Sequence, residues 1–201
     1  MTLDIREFHT HFIAIEDVPD HEKWKQHFVS SIDEELSNQD KVVMKSYDNQ
    51  TVSQWKQNHN SSTSYFFPHS SVDYNDFTKQ VVTPLVTKVM SELDFNWFPI
   101  DYIQYWYNRY DQMGTHLIHD HDDTDLCLIY ILHLEEPNTT VFHNTVYNRP
   151  FFKKELYTED LKEGQIIIFP HHLQHEVQWS EKRRYTIAGN INLNYEYKHE
   201  T

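Results

Sequence analysis

The 201-residue sequence predicts a mainly β fold of the α+β class, a jelly roll with helices packed outside one sheet. Three observations point there. The second half holds short β-prone runs separated by turn residues. The first half holds two apolar stripes at helical spacing. No repeat, low-complexity tract or composition shift divides the chain. Residues 1–201 therefore read as a single domain, with a helix-containing zone at 1–96 and a β core at 97–195 that carries the chemistry.

Trp24, Phe28, Ile32 and Leu36 recur every four residues and predict a helix from Asp20 to Leu36. Residues 38–72 are rich in Asn, Ser and Gln and read mostly as loop. Phe77, Val81, Val82, Leu85, Val86, Val89, Met90 and Leu93 form the second stripe. Pro84 falls inside it, so the helix either kinks there or starts there with the proline in its first turn. Strands are expected at Ile103–Tyr110, at the apolar run Leu126–Leu132, and at Thr139–His143. Three more are expected at Gln165–Phe169, which follows Gly164 and stops at Pro170, at Glu176–Trp179 and at Tyr185–Leu193.

Thirty-one acidic residues against seventeen basic ones give a net charge of −14. That balance repels polyanions and argues against nucleic acid as a partner. The only dense basic run, Lys182-Arg183-Arg184, is short, with Lys153-Lys154 elsewhere. No stretch approaches the ~20 apolar residues of a membrane span, and Met1–Phe12 lacks the features of a signal peptide. The single cysteine, Cys127, sits in an apolar run and fits a reducing compartment. A cytoplasmic protein is the expectation.

Fifteen histidines make any one of them weak evidence. The cluster His116-Leu117-Ile118-His119-Asp120-His121-Asp122-Asp123 stands apart. In an extended segment residues i, i+2 and i+4 point to one face, so His119, His121 and Asp123 can converge. Downstream, Pro170-His171-His172-Leu173-Gln174-His175 places a further histidine after a strand. A short His-x-(His/Asp) pair with one distal histidine matches the three-ligand face of non-haem iron sites, which leaves positions open for cosubstrate and O2. Nine residues beyond His175, Arg184 opens a strand, where its guanidinium suits two parallel hydrogen bonds to a carboxylate.

Four blocks in order resemble a family of small 2-oxoglutarate–Fe(II) oxygenases related in fold to prolyl hydroxylases and aspartyl β-hydroxylase. They are Trp106-Tyr107-Asn108 with Gly114, His119-Asp120-His121 with Leu126–Ile131, Phe169-Pro170 with Leu173–Val177, and Arg184–Asn190. The resemblance covers residues 106–190 and implies a double-stranded β-helix. It implies His119 and His175 as iron ligands, Arg184 as the partner of the distal carboxylate of 2-oxoglutarate, and Asn108 and Tyr130 lining the pocket. The third ligand is either His121, because the distance from His119 to the apolar strand matches the family, or Asp123, since His121-Asp122-Asp123 also spells a His-x-Asp motif. Asp122 stands where the family has proline, Cys127-Leu128 where it has Ser-Gly, and Gly189 where it has phenylalanine.

The implied cofactors are Fe(II), with 2-oxoglutarate and O2 as cosubstrates. The implied reaction is hydroxylation of a small-molecule or peptidyl substrate with release of succinate and CO2. Residues 144–163 are placed to cover that substrate. Two rival readings keep the fold: a cupin-like metalloenzyme that does not use 2-oxoglutarate, and a non-catalytic jelly-roll binding protein.

Overall fold

The computed structural model describes residues 4–8, 11–39, 60–65, 70–93, 98–144, 155–157 and 161–196. The apolar stripe around Phe28 forms α1 (His21–Gln39), with Trp24, Phe28 and Ile32 buried four residues apart. The second stripe is helical throughout but not uniformly α. A single turn, α2 (Asn75–Phe77), runs into a π-helical segment, Thr78–Val82, and then into α3 (Thr83–Glu92). Pro84 lies in the first turn of α3. Proline has no N–H to donate, and the wider turn before it, where the Thr83 N–H reaches the Thr78 carbonyl, absorbs the irregularity.

Eleven strands are described: β1 (Asp4–Phe8), β2 (His11–Asp17), β3 (Ser61–Thr63), β4 (Ile100–Tyr110), β5 (His116–His119), β6 (Leu126–Leu134), β7 (Thr140–Asn144), β8 (Glu155–Tyr157), β9 (Gln165–Pro170), β10 (His175–Val177) and β11 (Arg184–Leu193). They form a seven-stranded sheet, β1-β2-β9-β6-β11-β4-β3, and a four-stranded sheet, β5-β10-β7-β8. Consecutive core strands mostly switch sheets, which is the jelly-roll connectivity. The pairings within both sheets are antiparallel.

The large sheet divides two cores. On one face Leu128, Tyr130, Leu132, Tyr185 and Ile187 pack against Phe28, Phe77 and Val86 of the helices. On the other face Cys127, Ile129, Ile131, Ile167 and Phe169 pack against Phe142 of the small sheet. Gly164 makes the turn into β9 with φ +89°, a conformation glycine adopts without steric cost. Its N–H donates to the Ile131 carbonyl at 2.9 Å.

Two features depart from the sequence expectation. β1 and β2 continue the large sheet, with Ala14 opposite Ile168 of β9, so strands from the 1–96 zone build the β core. β3 lies in the stretch read as loop. Its Ser61, Ser62 and Thr63 are buried because they pair with Tyr110, Arg109 and Asn108 of β4. Of the segment expected to cover the substrate, β8 is described, while residues 145–154 and 158–160 lie outside the described residues. Among the described residues no helix is long and apolar enough to cross a membrane.

Candidate metal centre

The antiparallel pair β5–β10 sets His119 opposite His175 in register. His121 lies two residues past the end of β5 and is held there by two bonds to one residue. Its N–H donates to the His171 carbonyl at 3.0 Å, and its own carbonyl accepts from the His171 Nδ1–H at 2.7 Å. One ring nitrogen from each of His119, His121 and His175 falls within 4.8 Å of the other two. The ring centroids of His119 and His175 are 4.2 Å apart, and those of His121 and His175 are 5.2 Å apart.

Each Nδ1 of the trio faces an oxygen. His119 Nδ1 is 2.8 Å from the Leu117 carbonyl, His175 Nδ1 is 3.1 Å from the Leu173 carbonyl, and His121 Nδ1 is 2.7 Å from Asn190 Oδ1. An oxygen acceptor selects the Nδ1–H tautomer and leaves the Nε2 lone pair for a metal. Burial, with the neighbouring His119, pushes His121 down to about 4, and burial pushes His175 well below its ordinary value. Both imidazoles are therefore neutral near pH 7, the form that ligates metal.

Asp123 does not join this group. β5 ends at His119, and Asp123 adopts φ +55°, which breaks the extended alternation and leaves its exposed carboxylate outside the convergent group. The donor set is thus three imidazoles, of which His121 and His175 are held neutral, with open positions. That set suits a borderline divalent ion, Fe(II) among them, and also occurs at catalytic zinc.

Arg184 opens β11 on the same interior face. Its side chain is 2% exposed. Nη1 and Nη2 donate to Thr139 Oγ1 and Thr140 Oγ1, both at 2.9 Å, and Cζ lies 5.1 Å from the Tyr110 ring centroid. Its Nε has no hydrogen-bond partner among the described residues. Burial lowers the Arg184 pKa, partly offset by Tyr110, yet a guanidinium stays charged in proteins. Arg184 and the three histidines share a cavity of about 30 Å³ that no Asp or Glu lines among the described residues. An uncompensated buried cation costs several kcal/mol, as an order of magnitude, and an anionic ligand would offset it. The cavity holds about one water, so a dicarboxylate enters only if lining side chains shift.

Asn108 lines the cavity, with Nδ2 3.5 Å from Thr186 Oγ1. Tyr130 does not, which corrects the sequence expectation. It lies on the opposite face of β6, stacked on Phe77, with its hydroxyl 2.6 Å from His21 Nδ1. Residues given no role on sequence grounds also line the cavity: Trp106, which stacks on His121, Tyr110, His116 and Thr140. Strand alternation from Asn108 and Arg184 is the signal that would have found Trp106 and Tyr110. A larger hollow of about 1000 Å³ lies between α3 and the first half of β4, and none of the three histidines lines it.

No protein-family model and no curated protein sequence matches the chain. Solved structures do. A Pseudomonas putida prolyl-4-hydroxylase superposes with a TM-score of 0.62 at 9% identity, over 92% of this chain and 94% of that one. A Trichoplax adhaerens prolyl hydroxylase, in complex with a hypoxia inducible factor oxygen degradation domain peptide fragment, gives 0.62 at 11% identity, over 90% and 83%. A non-heme α-ketoglutarate-dependent carbocyclase from nogalamycin biosynthesis gives 0.58 at 8%, over 90% and 79%. At such identities the similarity is one of fold, and the chain has the jelly-roll fold of these 2-oxoglutarate-dependent oxygenases.

Proposed function

We propose that the chain is an Fe(II)- and 2-oxoglutarate-dependent dioxygenase that hydroxylates a small-molecule or peptidyl substrate. The observation that carries the reading is one cavity holding three convergent imidazoles and a buried arginine, with no Asp or Glu lining it among the described residues. His119, His121 and His175 would hold the metal through Nε2. Arg184 would grip the distal carboxylate of 2-oxoglutarate with its fork, steadied by Thr139, Thr140 and the Tyr110 ring. Asn108 supplies a polar amide on the same wall, and Phe169 an apolar surface that excludes water. Bound together, Fe(II), 2-oxoglutarate and O2 supply oxidative decarboxylation to succinate and CO2 and the oxidising power for hydroxylation.

A second reading has an observation in its favour. A donor set without a carboxylate also suits a cupin-like metalloenzyme that does not use 2-oxoglutarate, and such an enzyme has no need of Arg184. Succinate release from 2-oxoglutarate, with Fe(II) and O2 and no added substrate, separates the two. The dioxygenase reading predicts slow uncoupled release that Arg184→Ala abolishes. Metal-bound protein that releases no succinate would favour the second reading.

A further inference from the structure

The three histidines are not oriented in the same way. His119 and His175 each face the backbone carbonyl two residues before them, Leu117 and Leu173. Such an acceptor is supplied by the local chain whatever the surrounding side chains. His121 has a side-chain acceptor instead, from a strand 69 residues away: Asn190 Oδ1 at 2.7 Å. Asn190 sits on β11 with Cys127 of β6 as its cross-strand partner. The Cys127 thiol, 3.9 Å from the same oxygen, is a second, weak donor to it. Two donors converging on Oδ1 favour the amide oxygen, rather than its NH2, on the His121 side.

The backbone of His121 is fixed by His171, but those bonds do not set the rotation of the ring. Trp106 stacks on the ring with centroids 5.7 Å apart and planes 23° apart, which limits tilt but carries no preference between nitrogens. Only Asn190 makes a recorded side-chain hydrogen bond to a ring nitrogen of His121 among the described residues.

We propose that Asn190 is the positioning residue that makes His121 a metal ligand, and so sets the centre as a three-histidine site. The inference rests on the metal-site reading given under Proposed function. Without the amide oxygen, a His121 Nδ1–H would lose its acceptor in a part-buried site. The ring then turns or takes the Nε2–H tautomer, and in either case its lone pair leaves the metal. Loss of such an orienting partner typically weakens metal affinity ~10–100-fold.

The test uses Co(II), whose affinity is read by calorimetry and whose geometry is read from its visible spectrum. Asn190→Leu should weaken Co(II) binding by roughly 10–100-fold and alter the spectrum, with the thermal midpoint of the metal-free protein showing that it still folds. Asn190→Asp, which keeps an acceptor oxygen, should restore both. In a His121→Ala background Asn190→Leu should change nothing further, because the effect runs through that ring. Unchanged affinity in Asn190→Leu, or an equal loss with and without His121, would overturn the proposal while leaving the metal site standing. No Co(II) binding by the unsubstituted protein would overturn the metal site itself, and this inference with it.

Discussion

His119 and His175 are 56 residues apart in sequence yet are cross-strand partners in register, with ring centroids 4.2 Å apart. Together with His121 they place three basic groups in one partly buried volume. In the metal-free protein burial, and after it the neighbouring imidazoles, keep His121 and His175 unprotonated where a free histidine would begin to charge.

A pH dependence follows. The unfolded chain titrates these histidines near ~6.5, while folded His121 titrates at about 4. Between those values the unfolded state binds more protons, so stability falls as pH falls through that window. The thermal midpoint of the metal-free protein should drop between pH 7 and pH 5, and His121→Gln should flatten the drop. Parallel profiles for the two proteins would contradict this.

Arg184→Met should behave in an unusual way for a change at a 2%-exposed site. It removes a buried charge that has no acidic partner in the cavity among the described residues, and replacing such charges by apolar groups is often neutral or stabilising. The metal-free, ligand-free midpoint should hold or rise. With Fe(II) present, 2-oxoglutarate at a hundred times its Kd stabilises the unsubstituted protein by ~2.7 kcal/mol. That increment should vanish in Arg184→Met. A destabilised ligand-free protein that still gains the increment would contradict the assignment.

Tyr130→Phe separates the two faces of β6. The hydroxyl bonds His21 on the helix side, so its loss should cost about 1 kcal/mol, or ~2–4 °C in midpoint for a chain of this size. Affinity for 2-oxoglutarate should not change. Weaker binding of 2-oxoglutarate by Tyr130→Phe would place the hydroxyl back at the cavity.

These residues also show where the sequence is legible. β4, β6, β9 and β11 are readable because buried strands are long β-prone runs. The same property hides which face each residue takes. Leu126–Leu132 is apolar at every position, so nothing in it separates Cys127, Ile129 and Ile131, which face the small sheet, from Leu128, Tyr130 and Leu132, which face the helices. Asp123 misleads for the opposite reason: period-two alternation assumes an extended backbone, and φ at Asp123 is +55°. β3 is invisible because Ser61–Thr63 owes its strand to pairing with β4 rather than to its own propensity. Asn190 lies in a matched block, but its partner His121 is 69 residues away, a pairing that only the strand order supplies.

The most direct test of the central claim is an anaerobic titration of the metal-free protein with Fe(II) and then 2-oxoglutarate, followed by visible absorption. The account predicts a weak metal-to-ligand charge-transfer band that needs both additions and is lost in His175→Ala and in Arg184→Ala. Tight Fe(II) binding with no band on adding 2-oxoglutarate would contradict it.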